Sequence, residues 1–290
     1  ISLVSQAPLQ EKPVLTGWLC SGKKYNMPLV RKSAHSFVGA WPLSGCNIGP
    51  LPLTIYALTQ AGDSLKQSEW LEFTTVQRGR VKSLFSADSL CHLSFGASSL
   101  FKDIFVRIDS SAAKMNGYDI VGQMYQVKPA DVPLNKGVSL SLSYPETDSL
   151  PGKLGVYRKN GSRLRYVGGK ISFAEHKVST HITGFGSYML ARDVDPPQIM
   201  ALSPGNMSRT TNTRPRLRAV FKDNLSGIAD EKFRRLELDG TKVIAEYDPE
   251  KLTLIYSPDE PLAKGEHTLE LVVTDKNGNS ARKLHFFYID

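Results

Sequence analysis

The sequence predicts an all-β chain of tandem β-sandwiches, the last of them immunoglobulin-like. Three observations carry that expectation. Apolar and β-branched runs of about four to eight residues recur from end to end, many alternating with polar residues. Clusters of Gly, Pro, Asn, Asp and Ser separate them, and no long segment holds a helical period. At 290 residues the chain suits two or three domains of about 100 residues each.

The first stretch, residues 1–82, offers strands near 14–19, 36–41, 53–58 and 71–76 and is read as a small immunoglobulin-like sandwich. Residues 83–195 form a middle accessory sandwich with strands near 91–95, 104–108, 124–128, 138–144, 154–158, 163–168, 170–173, 177–181 and 187–192. There Val138, Leu140, Leu142 and Tyr144 alternate with Ser139, Ser141 and Ser143, so one face packs and the other is wet. Asn160-Gly161 supplies the positive φ angles of a tight hairpin, and Gly168-Gly169 a second turn.

The clearest boundary is Asp193-Val194-Asp195-Pro196-Pro197, where two prolines hold the backbone extended. Beyond it, residues 196–290 offer strands near 198–203, 214–223, 235–238, 242–247, 251–257, 267–274 and 282–289. Seven short strands in one module is the immunoglobulin-like pattern. Asp239-Gly240 and Asn277-Gly278 mark hairpin turns.

Composition narrows the function. Hydrophobic residues make up 41% and charged residues 22%, ordinary for a globular protein. No apolar run approaches the roughly 18 residues that a membrane-crossing helix needs, so no transmembrane segment is expected. The chain opens on Ile1 without a signal-peptide pattern, which reads as a mature or excised piece. The net charge of +8 sits in residues 1–195, because residues 196–290 hold 14 basic and 14 acidic residues. Basic residues are scattered as pairs such as Lys23-Lys24, without a nucleic-acid motif, so no nucleic-acid partner is expected.

Cys20, Cys46 and Cys91 show neither zinc spacing nor a dense disulfide framework. They read as buried or free thiols, or as one Cys20–Cys46 bridge in an oxidising compartment that leaves Cys91 unpaired.

Candidate site residues fall into three groups. Asp193, Asp195, Asp223, Asn224, Asp275, Asn277 and Asn279 belong to the linker and to loops at the pole where the chain enters the last sandwich. Such oxygens are what calcium takes, although Asp and Asn are also ordinary turn residues. Calcium is the one cofactor weighed. Trp18, Trp41 and Trp70 cluster in the first domain, where exposed rings would make a glycan-stacking platform and buried ones a core. No Ser/His/Asp triad, paired-carboxylate site or phosphate loop can be assembled, so a non-enzymatic chain is expected.

Two resemblances add to this reading. The segments 221–228 (Phe-Lys-Asp-Asn-Leu-Ser-Gly-Ile), 262–269 and 272–279 resemble the corresponding strands and loops of bacterial immunoglobulin-like surface modules. Residues 120–192, with Val121-Gly122-Gln123-Met124-Tyr125 and Phe185-Gly186-Ser187-Tyr188, are similar to an accessory sandwich found beside such modules. The pairing resembles the C-terminal regions of secreted lysostaphin-like zinc metallopeptidases and related envelope proteins. The catalytic domain itself is not here, since the six histidines offer no His-x-His pair.

His181-Ile182-Thr183 is similar to the cleavage site of self-cleaving receptor sandwiches. That likeness would make His181 the base and Thr183 the nucleophile; the competing reading is an ordinary strand end.

The resulting expectation is a binding or scaffolding region of an exported bacterial envelope or surface protein. It would be secreted, periplasmic or on the cell surface, and hold to a cell-wall or surface glycan or a protein partner. The alternatives are an accessory segment of a metallopeptidase and a self-cleaving sandwich.

Overall fold

The computed structural model describes residues 1–43 and 50–290. Strands are 56% and helices 2% of the described residues, so the protein is all-β, as the alternation predicts. Among the described residues six sheets enclose three separate hydrophobic cores.

The first core lies under β1 (Ser2–Val4), β2 (Val14–Trp18), β3 (Lys24–Met27), β4 (Val30–Arg31), β5 (Ser36–Val38), β6 (Leu51–Leu58) and β7 (Ser64–Leu71). They form sheets of order β1-β5-β4 and β3-β2-β6-β7. Leu15, Phe37, Trp41 and Leu53 fill the space between. Gly17 belongs on that inner face because a Cβ there would meet the Pro52 carbonyl at 2.7 Å and the Trp41 ring at 2.9 Å.

The second unit begins with β8 (Thr74–Val76), which pairs with β11, and Val76 is fully buried in the second core. Strand β9 (Lys82–Phe85) also pairs inside this unit, so both strands begin ahead of the 82/83 boundary read from the sequence. Residues 77–81 therefore connect two strands of one unit. The unit continues with β10 (Cys91–Phe95), β11 (Ile104–Ala112), β12 (Asp119–Lys128), β13 (Pro133–Ser143), β14 (Leu154–Asn160), β15 (Arg163–Gly168), β16 (Lys170–Ser172), β17 (Lys177–Gly184) and β18 (Gly186–Arg192). The sheets run β16-β17-β13-β10-β9 and β15-β14-β18-β12-β11-β8.

Val138, Leu140, Leu142 and Tyr144 all turn inward, as their alternation requires. At the β14–β15 hairpin Asn160 pairs with Arg163, so the central residues are Gly161-Ser162. Gly161 takes φ +60°, which corrects the placement of the turn at Asn160-Gly161. Gly168-Gly169 carries the chain from one sheet to the other, because β15 and β16 lie in different sheets.

The third unit holds β19 (Gln198–Ser203), β20 (Ser208–Thr210), β21 (Leu217–Lys222), β22 (Arg234–Leu238), β23 (Thr241–Lys242), β24 (Glu246–Asp248), β25 (Thr253–Tyr256), β26 (Gly265–Thr274) and β27 (Ser280–Ile289). Sheets β19-β21-β25-β24 and β20-β27-β26-β22-β23 face one another over Phe221, Leu236, Leu271 and Phe287. Strands β20 and β27 pair in parallel, whereas the other named pairs are antiparallel. Asp239 and Gly240 both take positive φ, 53° and 74°, the type I′ turn that Asp-Gly predicts.

Cys20 is disulfide-bonded and Cys91 is a buried free thiol. Cys46, the partner expected for Cys20, lies outside the described residues. Burial, then the nearby Asp88 carboxylate, pushes the Cys91 thiol up to about 12, which leaves it unreactive.

Candidate functional site

The second unit ends on a carboxylate and the third presents two more from loops at its near pole. Asp193 follows β18, Asp223 follows β21 and Asp275 follows β26. One oxygen of each lies within 4.8 Å of the others. Asp193 and Asp275 are each only 2% exposed.

Local backbone fixes all three. Asp193 Oδ2 accepts the Ser226 N–H at 2.9 Å, and Asp223 Oδ2 accepts those of Leu225 and Gly227 at 3.0 and 2.7 Å. Asp275 Oδ1 accepts the N–H groups of Asn277 and Asn279 at 2.9 and 2.8 Å. Such side-chain-to-backbone turns are why aspartate occupies these loops. Gly278 takes φ +78° to close the β26–β27 connection, a conformation that only a residue without Cβ adopts freely.

The electrostatics are unbalanced. Two like charges about 4.8 Å apart repel by on the order of 3 kcal/mol at an effective dielectric of about 20. Among the described residues no Lys, Arg or His forms an ion pair with these three carboxylates. Arg192, the adjacent cation, is spent on Asp119 and Asp148 at 2.5 and 2.6 Å. Lys153 Nζ donates to the Asn277 carbonyl at 3.3 Å, and Lys276 Nζ lies 5.5 Å from the Tyr166 ring centroid. Burial pushes the Asp275 carboxyl above its ordinary range; hydrogen bonds from Asn279 oppose this, and the charges of Asp193 and Asp223 reinforce it.

Two buried hydroxyls of the neighbouring residues lack partners. Tyr157 of β14 is fully buried and its Oη has no hydrogen-bond partner. Burial, and then Asp193, Tyr166, Asp223 and Asp275, push its phenol well above the usual range, so it stays neutral within electrostatic reach of all three carboxylates. Ser226 Oγ is likewise buried without a partner.

The seven residues singled out from the sequence therefore divide. Asp193, Asp223 and Asp275 converge. The side chains of Asp195 and Asn224 face solvent and do not join, because the turns that begin at Asp193 and Asp223 direct the following residues outward. Asn277 and Asn279 act as donors. Asn277 Nδ2 reaches the Lys153 carbonyl at 2.7 Å, while Asn279 Nδ2 reaches the Asp193 carbonyl at 2.9 Å and Asp275 Oδ2 at 2.7 Å. They satisfy carbonyls that the junction buries. Tyr157, Ser226 and Lys153 escaped the sequence reading, because Tyr157 reads as core in an apolar strand and the other two as ordinary loop residues.

A second candidate surface lies on the outer face of the β3-β2-β6-β7 sheet. Strand register sets Lys24 opposite Trp18 and Pro52 opposite Trp70, and Gly17 opposite Leu53 puts Trp18 beside Pro52. One row therefore reads Lys24, Trp18, Pro52, Trp70. The next reads Asn26, Thr16, Thr54, Ser68, and Val14, Tyr56 and Lys66 follow. Trp18 and Trp70 are 55% and 61% exposed, two strand spacings apart, or about 9.6 Å. In the adjoining row Thr16 Oγ1 is buried and has no partner. Trp41 departs from the expected platform: it is 8% exposed and packs edge-on against Tyr25, 5.3 Å between centroids, in the space that Gly17 leaves.

His181 and Thr183 lie inside the extended strand β17, both facing solvent. Ile182 pairs with Val138, and the register shifts between that pair and Pro133–Gly184. Neither residue takes a positive φ.

Residues 81–193 match the family model described as a Zu5-like domain. The match covers most of the second unit. No curated protein matches the chain. The match ends where the third unit begins, so the resemblances to immunoglobulin-like modules and lysostaphin-like peptidases gain no support from it.

Proposed function

We propose that the chain is a non-catalytic binding and scaffolding region of an exported protein, whose first unit grips a cell-wall or surface glycan. The observation that carries this reading is the Trp18–Pro52–Trp70 row with its adjoining row of hydroxyls and amide. Indole faces stack on the C–H faces of sugar rings, and Asn26, Thr54 and Ser68 offer hydrogen bonds to sugar hydroxyls beside them. The spacing of the two indoles suits alternate sugars of an extended polymer. Lys24 and Lys66 flank the rows, which hold no carboxylate, so the face favours an anionic glycan.

Other observations agree with export and with a spacer role. The disulfide at Cys20 suits an oxidising compartment. No helix among the described residues is long and apolar enough to cross a membrane. The hydrogen-bonded junction between the second and third units suits a stiff arm that holds the first unit away from whatever follows.

Sedimentation with insoluble peptidoglycan and with neutral and anionic polysaccharides tests the reading. The intact chain is expected to co-sediment with an anionic wall glycan, and Trp18→Ala and Trp70→Ala to weaken retention about tenfold each, on the order of 1.4 kcal/mol per lost stacking ring. Retention that both variants preserve, with unchanged circular dichroism, would sink the glycan assignment.

A further inference from the structure

We propose that Asp193, Asp223 and Asp275 bind one calcium ion, and that the ion locks the second unit to the third. This inference is independent of the glycan reading and concerns the opposite end of the second unit.

The donor set is oxygen alone, which excludes the soft-ligand chemistry of zinc and copper sites and points to a hard cation. Three carboxylate oxygens within 4.8 Å of one another fit around one calcium, whose bonds of about 2.3–2.6 Å span that separation. Backbone N–H groups already fix each carboxylate, so little side-chain entropy is left to lose on binding.

A second, separate observation comes from the neutral oxygens. Tyr157 Oη and Ser226 Oγ are buried without a hydrogen-bond partner, and buried hydroxyls ordinarily have one. Ser226 is anchored there by its own N–H to Asp193, and Tyr157 lies within reach of all three charges. Calcium accepts neutral oxygens and water beside carboxylates, in six to eight positions and irregular geometry. Magnesium demands a near-ideal octahedron and gives up its water reluctantly, which suits this crowded pole less well.

The ligands come from both sides of the junction. Asp193 ends the second unit, and Asp223 and Asp275 belong to loops of the third. An ion at this point replaces mutual repulsion with attraction across the two units. Calcium would add to the hydrogen bonds already made across the junction, and the chain without it would hold the two units by those bonds alone.

Calorimetric titration of the chelator-treated 290-residue chain with calcium chloride, paired with thermal melting in calcium and in chelator, tests this. One calcium per chain is expected, with magnesium at least tenfold weaker. A hundredfold excess of calcium over its Kd should raise the melting temperature by several degrees. Asp275→Asn and Asp223→Asn should each weaken calcium binding at least tenfold.

Melting in chelator separates an ion site from a plain hydrogen-bonded clasp. With the repulsion relieved, Asp223→Asn should melt in chelator no lower than the native chain, yet gain little from calcium. An inert clasp predicts loss in chelator and no calcium response in either protein. A native chain that ignores millimolar calcium, or a response that survives both substitutions, overturns the proposal. Should Asp275→Asn fail to fold, Asp223→Asn, whose side chain is only half-buried, carries the test alone.

Discussion

His267 shows how one buried side chain ties the third unit to pH. Its Nδ1 stands 2.7 Å from Asp239 Oδ2 and its Nε2 2.8 Å from the Ala263 carbonyl. Both partners accept, so both ring nitrogens must donate, which requires the charged imidazolium. Burial alone would lower the pKa; the Ala263 carbonyl and the Asp239 carboxylate outweigh it, and the net direction is upward from 6.5. A raised folded-state pKa stabilises fully below the unfolded value and loses that stabilisation as pH rises through the folded value. The transition of the third unit should therefore fall in temperature as pH rises above the ordinary imidazole value of 6.5 and through the raised folded-state value. His267→Gln, which keeps a polar group but no titration, should flatten that fall; a slope identical in both proteins would remove His267 from the account. The sequence showed His267 within a strand-and-loop pattern, but not its contacts, because Asp239 lies 28 residues away and meets it only through the β22–β26 pairing.

Elements were legible where one face is buried and the other wet. Strand β13 alternates over Val138, Leu140 and Leu142, and β26 buries His267, Leu269, Leu271 and Val273. The same reasoning passed over most of β7, which is exposed on nearly all its length and so carries no periodic signal. It also merged residues 242–247 into one strand. The chain there leaves β23 for β24 in the opposite sheet, and an apolar stretch looks the same whether it stays in one sheet or crosses between two. The inner face of β2 makes a sharper statement about glycine than the sequence could. Gly17→Ala would place a methyl group 2.7 Å from the Pro52 carbonyl and 2.9 Å from both Leu53 and the Trp41 ring. Overpacking of this kind costs about 1–3 kcal/mol. Denaturant unfolding monitored by tryptophan fluorescence should show the loss in the first unit alone, and an alanine variant as stable as the native chain would mean that the β2–β6 pair yields at no cost.

At the scale of the whole molecule, the junctions between units decide whether three cores behave as one body. The sequence indicated where acidic loops of the last sandwich would gather, since the pole at which a chain enters such a fold is fixed by topology. It did not indicate the reciprocal bonds. Lys153 and Asn277 exchange donors and acceptors at 3.3 and 2.7 Å, and Asn279 holds the Asp193 carbonyl at 2.9 Å. These polar groups are buried by the junction, so each lost partner exposes the full cost of an unsatisfied group, about 1–3 kcal/mol. Asn279→Ala removes two such bonds from Nδ2, one to the Asp193 carbonyl and one to Asp275. In chelator, scanning calorimetry of the native chain should show the second and third units melting together, because unfolding either one strands the buried partners of the other. Asn279→Ala should split that peak and move the third unit down by several degrees, while the second unit keeps its own core of Leu140, Val156, Phe185 and Tyr188. If the native peak already resolves into separate transitions for these two units, the clasp transmits no stability; if the variant's peak stays single, the coupling resides in surface burial and not in these hydrogen bonds.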